Sequence, residues 1–386
     1  MSMKRIKKKV NVKDNVLPHT QAKLDLFKGY LEHYLRVLSY AGYKQINLFD
    51  IYCGAGIYDD GKKGSPLLAI DCVRKINTEI INNKKSLIPI SLTVNDFDAQ
   101  RIENLKNNVN IQNIENLVIE YHNKDANEML DIVANRVSKY PKDNKNLVFL
   151  DPYGYSNINK DKIINLLNNK CTEIILFLPA MQMYRFTEIA FIDEEKPHYE
   201  NLRKFVISFF NDSDNINTNT IFEYIHSIKE KLSINDTYFT CSHYIERGKG
   251  NYYALFFISS SIYGLEKMLE TKWKLDPVRG KGFHQTKNSI QLSLFDEEEM
   301  NETDKSLEIS HLENLIYQSI KQNDSITNID IYKSTLKSEF LPKHANTALK
   351  NLLTQNKIQE INNSMGYGIN YNNYKNKKIV SKFKIV

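Results

Sequence analysis

Residues 46–70, INLFDIYCGAGIYDDGKKGSPLLAI, restrict the fold of this chain more than any other stretch. Ile46 to Ile51 read as a short buried strand, apolar and β-branched, and Pro66 to Ile70 open a helix with proline in its first turn. Between them, Gly54 and Gly56 allow backbone torsions and a close backbone approach that a side chain would forbid. Asp50 stands at the carboxyl end of the strand, where open α/β sheets bind their ligands. A carboxylate there repels pyrophosphate and attracts a cationic group. The third glycine of a dinucleotide fingerprint would fall where Asp59 stands, which disfavours a nicotinamide oxidoreductase.

The rest of the first half alternates in the same way. Thr20 is the expected N-cap of a helix running to Tyr40, with Leu24, Phe27, Leu31, Leu35 and Leu38 at helical spacing. A second apolar run, Ile88 to Val94, ends at Asp96, whose carboxylate can accept hydrogen bonds from both ribose hydroxyls of a nucleoside. Asp98 suits a cap for the helix Ala99 to Val109. Strand Leu117 to Tyr121, a loop carrying Asp125, helix Ala126 to Ser138 and strand Leu147 to Leu150 complete a βαβαβαβ series, as a parallel doubly wound sheet demands. An acidic strand end beside Gly-x-Gly favours a nucleoside with a cationic amino-acid moiety, such as S-adenosylmethionine. Asp50, Tyr52, Gly54 and Gly56 would hold its methionine end, Asp96 its ribose and Asp125 its adenine amino group.

The fourth strand ends in Asp151, Pro152, Tyr153, Gly154 and Tyr155. A carboxylate and a proline carbonyl can hold an exocyclic amino group, and an aromatic face can stack on the base that carries it. Asp151, Pro152 and Tyr153 are therefore the candidate catalytic residues. For Tyr155, packing is an equal alternative to a substrate contact. After a fifth strand, Thr172 to Leu178, residues 180–235 read as a helical, aromatic-rich insertion, either a lid or plain core. Tyr238 to Glu246 and Asn251 to Ser260 form a hairpin about Arg247, Gly248 and Gly250. The expected fold is α/β, a doubly wound Rossmann-like sheet of the class I methyltransferase order.

Composition bounds the remainder. The 386 residues exceed one compact core of usual size, and 52 Lys plus Arg against 46 Asp plus Glu leave a mild +6 that permits a polyanionic partner. Cys53, Cys72, Cys171 and Cys241 form no Cys-x-x-Cys pair, so neither a zinc site nor a disulfide framework is expected. The basic start, KRIKKKV, lacks the apolar core of a signal peptide, and no run reaches membrane-spanning length, so a soluble cytoplasmic protein without membrane contact is expected. The domain reading is a basic arm at 1–18, the Rossmann-like unit at 19–280, a linker at 281–306 and a winged-helix-like unit with a basic tail at 307–386. In that last unit, Leu307 to Lys321, Asn328 to Glu339 and Lys343 to Gln355 read as helices, with Lys357 to Glu360 and Tyr367 to Tyr371 as wing strands. The third helix would carry His344, Asn346, Thr347, Lys350 and Asn351 toward a major groove, and the lysines from Lys375 to Lys384 favour nucleic acid.

Taken together, HTQAKLDLFKGYLEHYL, DIYCGAGIYDDGKKGSP, FLDPYGYSNI and KWKLDP resemble the three-Cys-motif partner proteins, a bacterial family grouped with methyltransferase-like proteins. The family's opening pattern falls on Thr20, Lys23 and Tyr30, its glycine loop on Asp50, Tyr52, Cys53, Gly54 and Gly56, and its strand-four signature on Asp151, Pro152, Tyr153 and Gly154. The resemblance spans roughly residues 19–280. It implies the class I methyltransferase fold and a cysteine-motif partner protein. Lys23, Tyr155 and Lys350 are the candidate substrate contacts. Amino-methyltransferases carry Asp/Asn-Pro-Pro-Tyr/Phe at this strand end, whereas here a single proline precedes Tyr153. Gln291, Leu292, Ser293, Leu294 and Phe295 resemble the pentapeptide that docks replication and repair proteins on the β sliding clamp, with packing against the chain's own units as the equal alternative. The functional expectation is a methyltransferase acting on nucleic acid. Its rival is a non-catalytic nucleic-acid-binding adaptor of the same fold in a bacterial defence or repair complex.

Overall fold

The computed structural model describes residues 16–112, 114–152, 160–192, 200–210, 218–234, 236–248, 250–283, 294–362 and 366–386. Helix α1, Pro18–Ala41, leads into β1 (Gln45–Asp50), α2 (Ser65–Asn82), β2 (Ile90–Asn95), α3 (Ala99–Asn108), β3 (Leu117–His122), α4 (Ala126–Lys139), β4 (Asn144–Leu150), α5 (Lys160–Leu167) and β5 (Thr172–Leu178). Three helices follow, α6 (Ala180–Ile192), α7 (Glu200–Phe210) and α8 (Ile221–Ser233), and then the hairpin β6 (Phe239–Glu246) and β7 (Tyr252–Ser259), helix α9 (Ile262–Leu275) and the short β8 (Gly282–Phe283). Thr20 is not the cap of α1. The helix starts at Pro18 with Leu17 as N-cap, because a proline in the first turn sacrifices no helical hydrogen bond.

The sheet order is β3-β2-β1-β4-β5-β7-β6-β8. β1 to β5 run parallel, and β7 lies antiparallel between β5 and β6. Parallel strands joined by helices, with a single antiparallel strand entered last beside β5, define the class I methyltransferase sheet. The added β8 extends it by pairing parallel with β6. The inner strands are apolar on both sides, as coverage by helices requires. Ile46 and Leu48 of β1 join a core with α1, α2 and α9, while Phe49 and the following Ile51 join a second core with α4 and α5. Met183, Leu202, Val206, Phe210 and Tyr224, from α6 to α8, belong to that second core, so the aromatic insertion packs as core at these positions.

The C-terminal elements are α10 (Leu294–Gln322), β9 (Ile326–Thr327), α11 (Asn328–Lys337), α12 (Pro342–Thr354), β10 (Ile358–Glu360), α13 (Tyr371–Lys375) and β11 (Lys382–Ile385). Helix α10 begins well before the expected Leu307, since the polar run read as linker is rich in Glu, which favours helix. The segment Tyr367 to Tyr371 is not a strand. Asn370 caps α13 through the Asn373 N–H, and the partner of β10 is β11, anchored by the fully buried Phe383. β9 completes an antiparallel sheet in the order β10-β11-β9.

Candidate functional site

The carboxyl ends of β1, β2 and β4 bring Asp50, Asp96 and Asp151 to one edge of the sheet. Asn95 stitches this edge together. Its amide donates to the Ile51 carbonyl at 3.2 Å and the Lys124 carbonyl at 3.1 Å, and its side-chain oxygen accepts from the Lys124 N–H at 3.0 Å. The tips of three strands are thereby fixed before any ligand arrives. Gly54 turns away from β1 at φ +63° with open space where a Cβ would be, and its N–H donates to Asp96 Oδ2 at 3.0 Å. The Asp98 N–H donates to Asp96 Oδ1 at 2.9 Å, and the Arg101 guanidinium lies 3.7 Å from Oδ2, which leaves a lone pair on Oδ1 uncommitted. Gly56 serves a different need. At φ +79° its Cβ would come within 2.5 Å of Leu105, so packing demands the glycine expected to touch a ligand.

Asp50 is only 3% exposed, and neither carboxylate oxygen has a hydrogen-bond partner of normal geometry. Burial pushes its carboxyl up to about 7 against the pull of the Ser65 hydroxyl, with the Asp151 and Asp96 charges adding to the rise. Desolvation favours the protonated form of such a group, and a nearby cation would favour the ionised one. Tyr52 stands beside it with its hydroxyl buried and unpartnered. Burial, then the Asp125 and Asp151 charges, push that phenol up.

Lys23, from the second turn of α1, reaches across the edge and forms an ion pair with Asp151. The Lys23 side chain is 10% exposed and lies 4.8 Å from the centre of the Phe177 ring, so ion pair and ring contact hold it in one place. Phe177 stacks on Tyr253, which in turn stacks on His19. Burial, with the Arg247 and Lys23 charges, lowers the His19 imidazole to about 4, so it is neutral at physiological pH. Tyr30, the other α1 residue singled out by the sequence pattern, donates to Glu173 of β5.

Other expected positions fare differently. Asp98 caps α3 as expected, accepting from the Gln100 N–H. Asp125 is exposed and caps α4 through the Asn127 N–H at 2.9 Å, which leaves its second oxygen open. Phe97 was not singled out by its sequence, yet it is 78% exposed between Asp96 and Asp98 and offers a bare ring face at the crevice rim. A large aromatic between two aspartates at a strand end is the signal that could have found it. Tyr153, Gly154, Tyr155, Gln291, Leu292 and Ser293 lie outside the described residues, as do the side chains of Leu294 and Phe295. On α12, His344 and Asn351 do not face outward. His344 packs edge-on against Trp273 at 4.2 Å and Asn351 donates to Glu313 at 2.6 Å, whereas Lys343, Asn346, Thr347 and Lys350 are exposed. The indole offered His344 more apolar contact than solvent did, and spacing along the helix could not show that.

A cavity of about 460 Å³ lies behind the glycine turn, lined by Leu67, Asp71, Arg74 and Asn108 from α2 and α3 and by none of the three carboxylates. Among the described residues no cluster of His, Cys, Asp and Glu could hold a metal ion, and no helix is long and apolar enough to cross a membrane.

No family model and no curated protein matches the chain. Among solved structures, a Legionella pneumophila protein of the DUF519 family shares 12% identity over 66% of this chain and 90% of its own, with a TM-score of 0.39. A putative O-methyltransferase from Klebsiella pneumoniae shares 11% over 60% and 79%, with a TM-score of 0.31. Human methyltransferase-like protein 13, solved with SAH, shares 9% over 72% and 97%, with a TM-score of 0.29. The fold assignment rests on the strand order of this chain and not on these distant likenesses.

Proposed function

We propose that the chain is an S-adenosylmethionine-dependent methyltransferase acting on nucleic acid together with a cysteine-motif partner protein. The observation that carries this reading is the buried Asp50 carboxylate beside the open left-handed turn at Gly54, with the Ser65 hydroxyl and the Tyr52 N–H close to it but no hydrogen bond of normal geometry. A cationic ammonium group satisfies that carboxylate, while a phosphate would be repelled. When bound, S-adenosylmethionine supplies a methyl group on an electron-poor sulfonium that needs only in-line approach of an acceptor.

The chain's own residues then bind and orient. Asp96 keeps a lone pair on Oδ1 for a ribose hydroxyl, and the Phe97 ring gives the adenine a stacking face. Lys23 fixes the direction of the Asp151 carboxylate, leaving its second oxygen to accept a hydrogen bond from an acceptor amino group. The Pro152 carbonyl and the Tyr153 ring would complete that orientation. In the C-terminal unit, read as a winged helix, the outward face of α12 with Lys343, Asn346, Thr347 and Lys350 suits a nucleic-acid groove. Gln291, Leu292, Leu294 and Phe295 are proposed to dock on a sliding clamp. Alanine at Leu294 and Phe295 abolishes clamp pull-down if they do, and retained capture rejects the docking.

A non-catalytic adaptor is the second reading, favoured by the ion pair that already occupies Asp151 and by the single proline after it. Radiolabelled methyl transfer to DNA, RNA and partner protein separates the two. Asp151→Ala is expected to lower labelling about 100-fold through lost positioning. Phe97→Ala is expected to leave the labelling rate at saturation intact and to weaken cofactor binding about tenfold by calorimetry. Cofactor binding without any labelling selects the adaptor, and equal labelling by the alanine variant removes Asp151 from the mechanism.

A further inference from the structure

A second cleft opens at the amino edge of the sheet, the opposite end from the three carboxylates. Its volume is about 230 Å³, and α1, the starts of β4 and β5, α9 and the short α13 enclose it. Lys145, Lys170, Lys267 and Lys375 line it; Lys267 pairs with Glu270 at 2.7 Å and lies 4.8 Å from the centre of the Tyr263 ring, while among the described residues no ion pair joins the other three to a carboxylate. Lys145 instead lies 4.8 Å from the Tyr43 ring and donates to the Cys171 thiol at 3.7 Å. Tyr263 and Tyr371 stack at 4.3 Å and bring α9 and α13 together across the opening. Tyr34, which is 7% exposed, also lines the cleft, and its buried hydroxyl has no hydrogen-bond partner. Glu173, a carboxylate in the wall, accepts from the Tyr30 hydroxyl at one oxygen and from the Ser259 hydroxyl at the other, and its charge and that of Lys145 act on each other. Solvated lysines are common on any surface. Here they converge on a concave site with aromatic walls and an unused buried hydroxyl.

We infer that this cleft is a second ligand site, which takes a nucleotide unit by pairing its phosphate with the lysines and its base with the tyrosine rings. Lysines without carboxylate partners attract phosphate oxygens, and the rings supply stacking that tolerates any base. The chemistry is the same for a free nucleotide and for one unit of a single strand. The site is independent of the cofactor crevice, from which the whole length of the strands separates it.

The full-length chain is titrated with ADP, with an oligothymidylate and with inorganic phosphate, and S-adenosylmethionine binding is measured on the same samples. The parent is expected to bind ADP or the oligonucleotide more tightly than phosphate, with affinity falling as salt rises. Preference for ADP identifies a free nucleotide, and preference for the oligonucleotide identifies a strand. The surface pair Lys170→Glu/Lys375→Glu, which cannot disturb the core, is expected to weaken either about tenfold or more, and Tyr371→Ala about tenfold. Cofactor binding should stay as in the parent in both variants. The inference is overturned if no probe binds, if the charge reversal leaves affinity unchanged, or if only phosphate binds and Tyr371→Ala has no effect.

Discussion

Asp50→Asn is expected to stabilise the protein at pH 8 while abolishing S-adenosylmethionine binding. The carboxyl titrates near its ordinary 3.8 in the unfolded chain and at about 7 in the folded one. Between these values the folded state holds the extra proton, so stability falls as pH rises through that window and stays lowered above it. About three units correspond to about 4 kcal/mol at most. Asparagine keeps the shape and removes the charge, so a thermal melt at pH 8 should shift up by several degrees, and one at pH 4 should hardly move. Binding is linked with the opposite sign. A cation at Asp50 selects the ionised form, so cofactor affinity rises between pH 5 and 7 by up to tenfold per unit and falls again above about 8 as the ligand's own amino group loses its proton. Calorimetry across pH reads both limbs. An asparagine variant that binds as the parent does, or an acid limb that persists without the carboxylate, removes Asp50 from the cofactor's seat.

Glu339→Ala is expected to cost about 3–5 kcal/mol of stability, the usual consequence of leaving a buried charge without its partner. Glu339 sits in the loop between α11 and α12 in a left-handed conformation at φ +64°, which is uncommon for a side chain of this size. From there it pairs with the fully buried Lys272 and, at 3.0 Å, with Lys229, while its carbonyl accepts from the Trp273 indole at 2.9 Å. Burial acts to raise its carboxyl, but the Lys272 and Lys229 charges prevail and hold it at about 2. The stability it contributes is therefore complete above its ordinary 4.5 and is lost as pH falls toward 2. Urea denaturation should show the loss. Adding Lys272→Met to the alanine variant should recover part of it, since an apolar side chain carries no uncompensated charge. If the single variant melts like the parent, the Lys–Glu–Lys cluster is ornamental to stability.

Local signals in the sequence were enough for the strand and helix alternation, because each buried strand is an apolar run and each turn carries its own Gly, Asp or Pro. Asp50, Asp96 and Asp151 were legible for the same reason, standing at run ends. Partners remote in the chain were not. Lys23 meets Asp151 across 128 positions, and no spacing rule connects them. Asn95 looked like an ordinary polar residue at a strand end, yet its amide holds three strands in register. The second strand of the small sheet was misplaced because Tyr367 to Tyr371 has β-forming residues, while the real strand, Lys382–Ile385, was hidden in a lysine-rich run. Intrinsic β preference is a weak guide when burial of a single phenylalanine decides the pairing.

The apolar core that begins with Leu26 and Ile46 continues without a break through Trp273 into Leu312, Tyr332 and Phe383. The last eighty or so residues thus cannot be regarded as a cassette hung on a finished α/β unit. Their inner surface packs against α9 and β6, and either half taken alone would present its own bare apolar face to water.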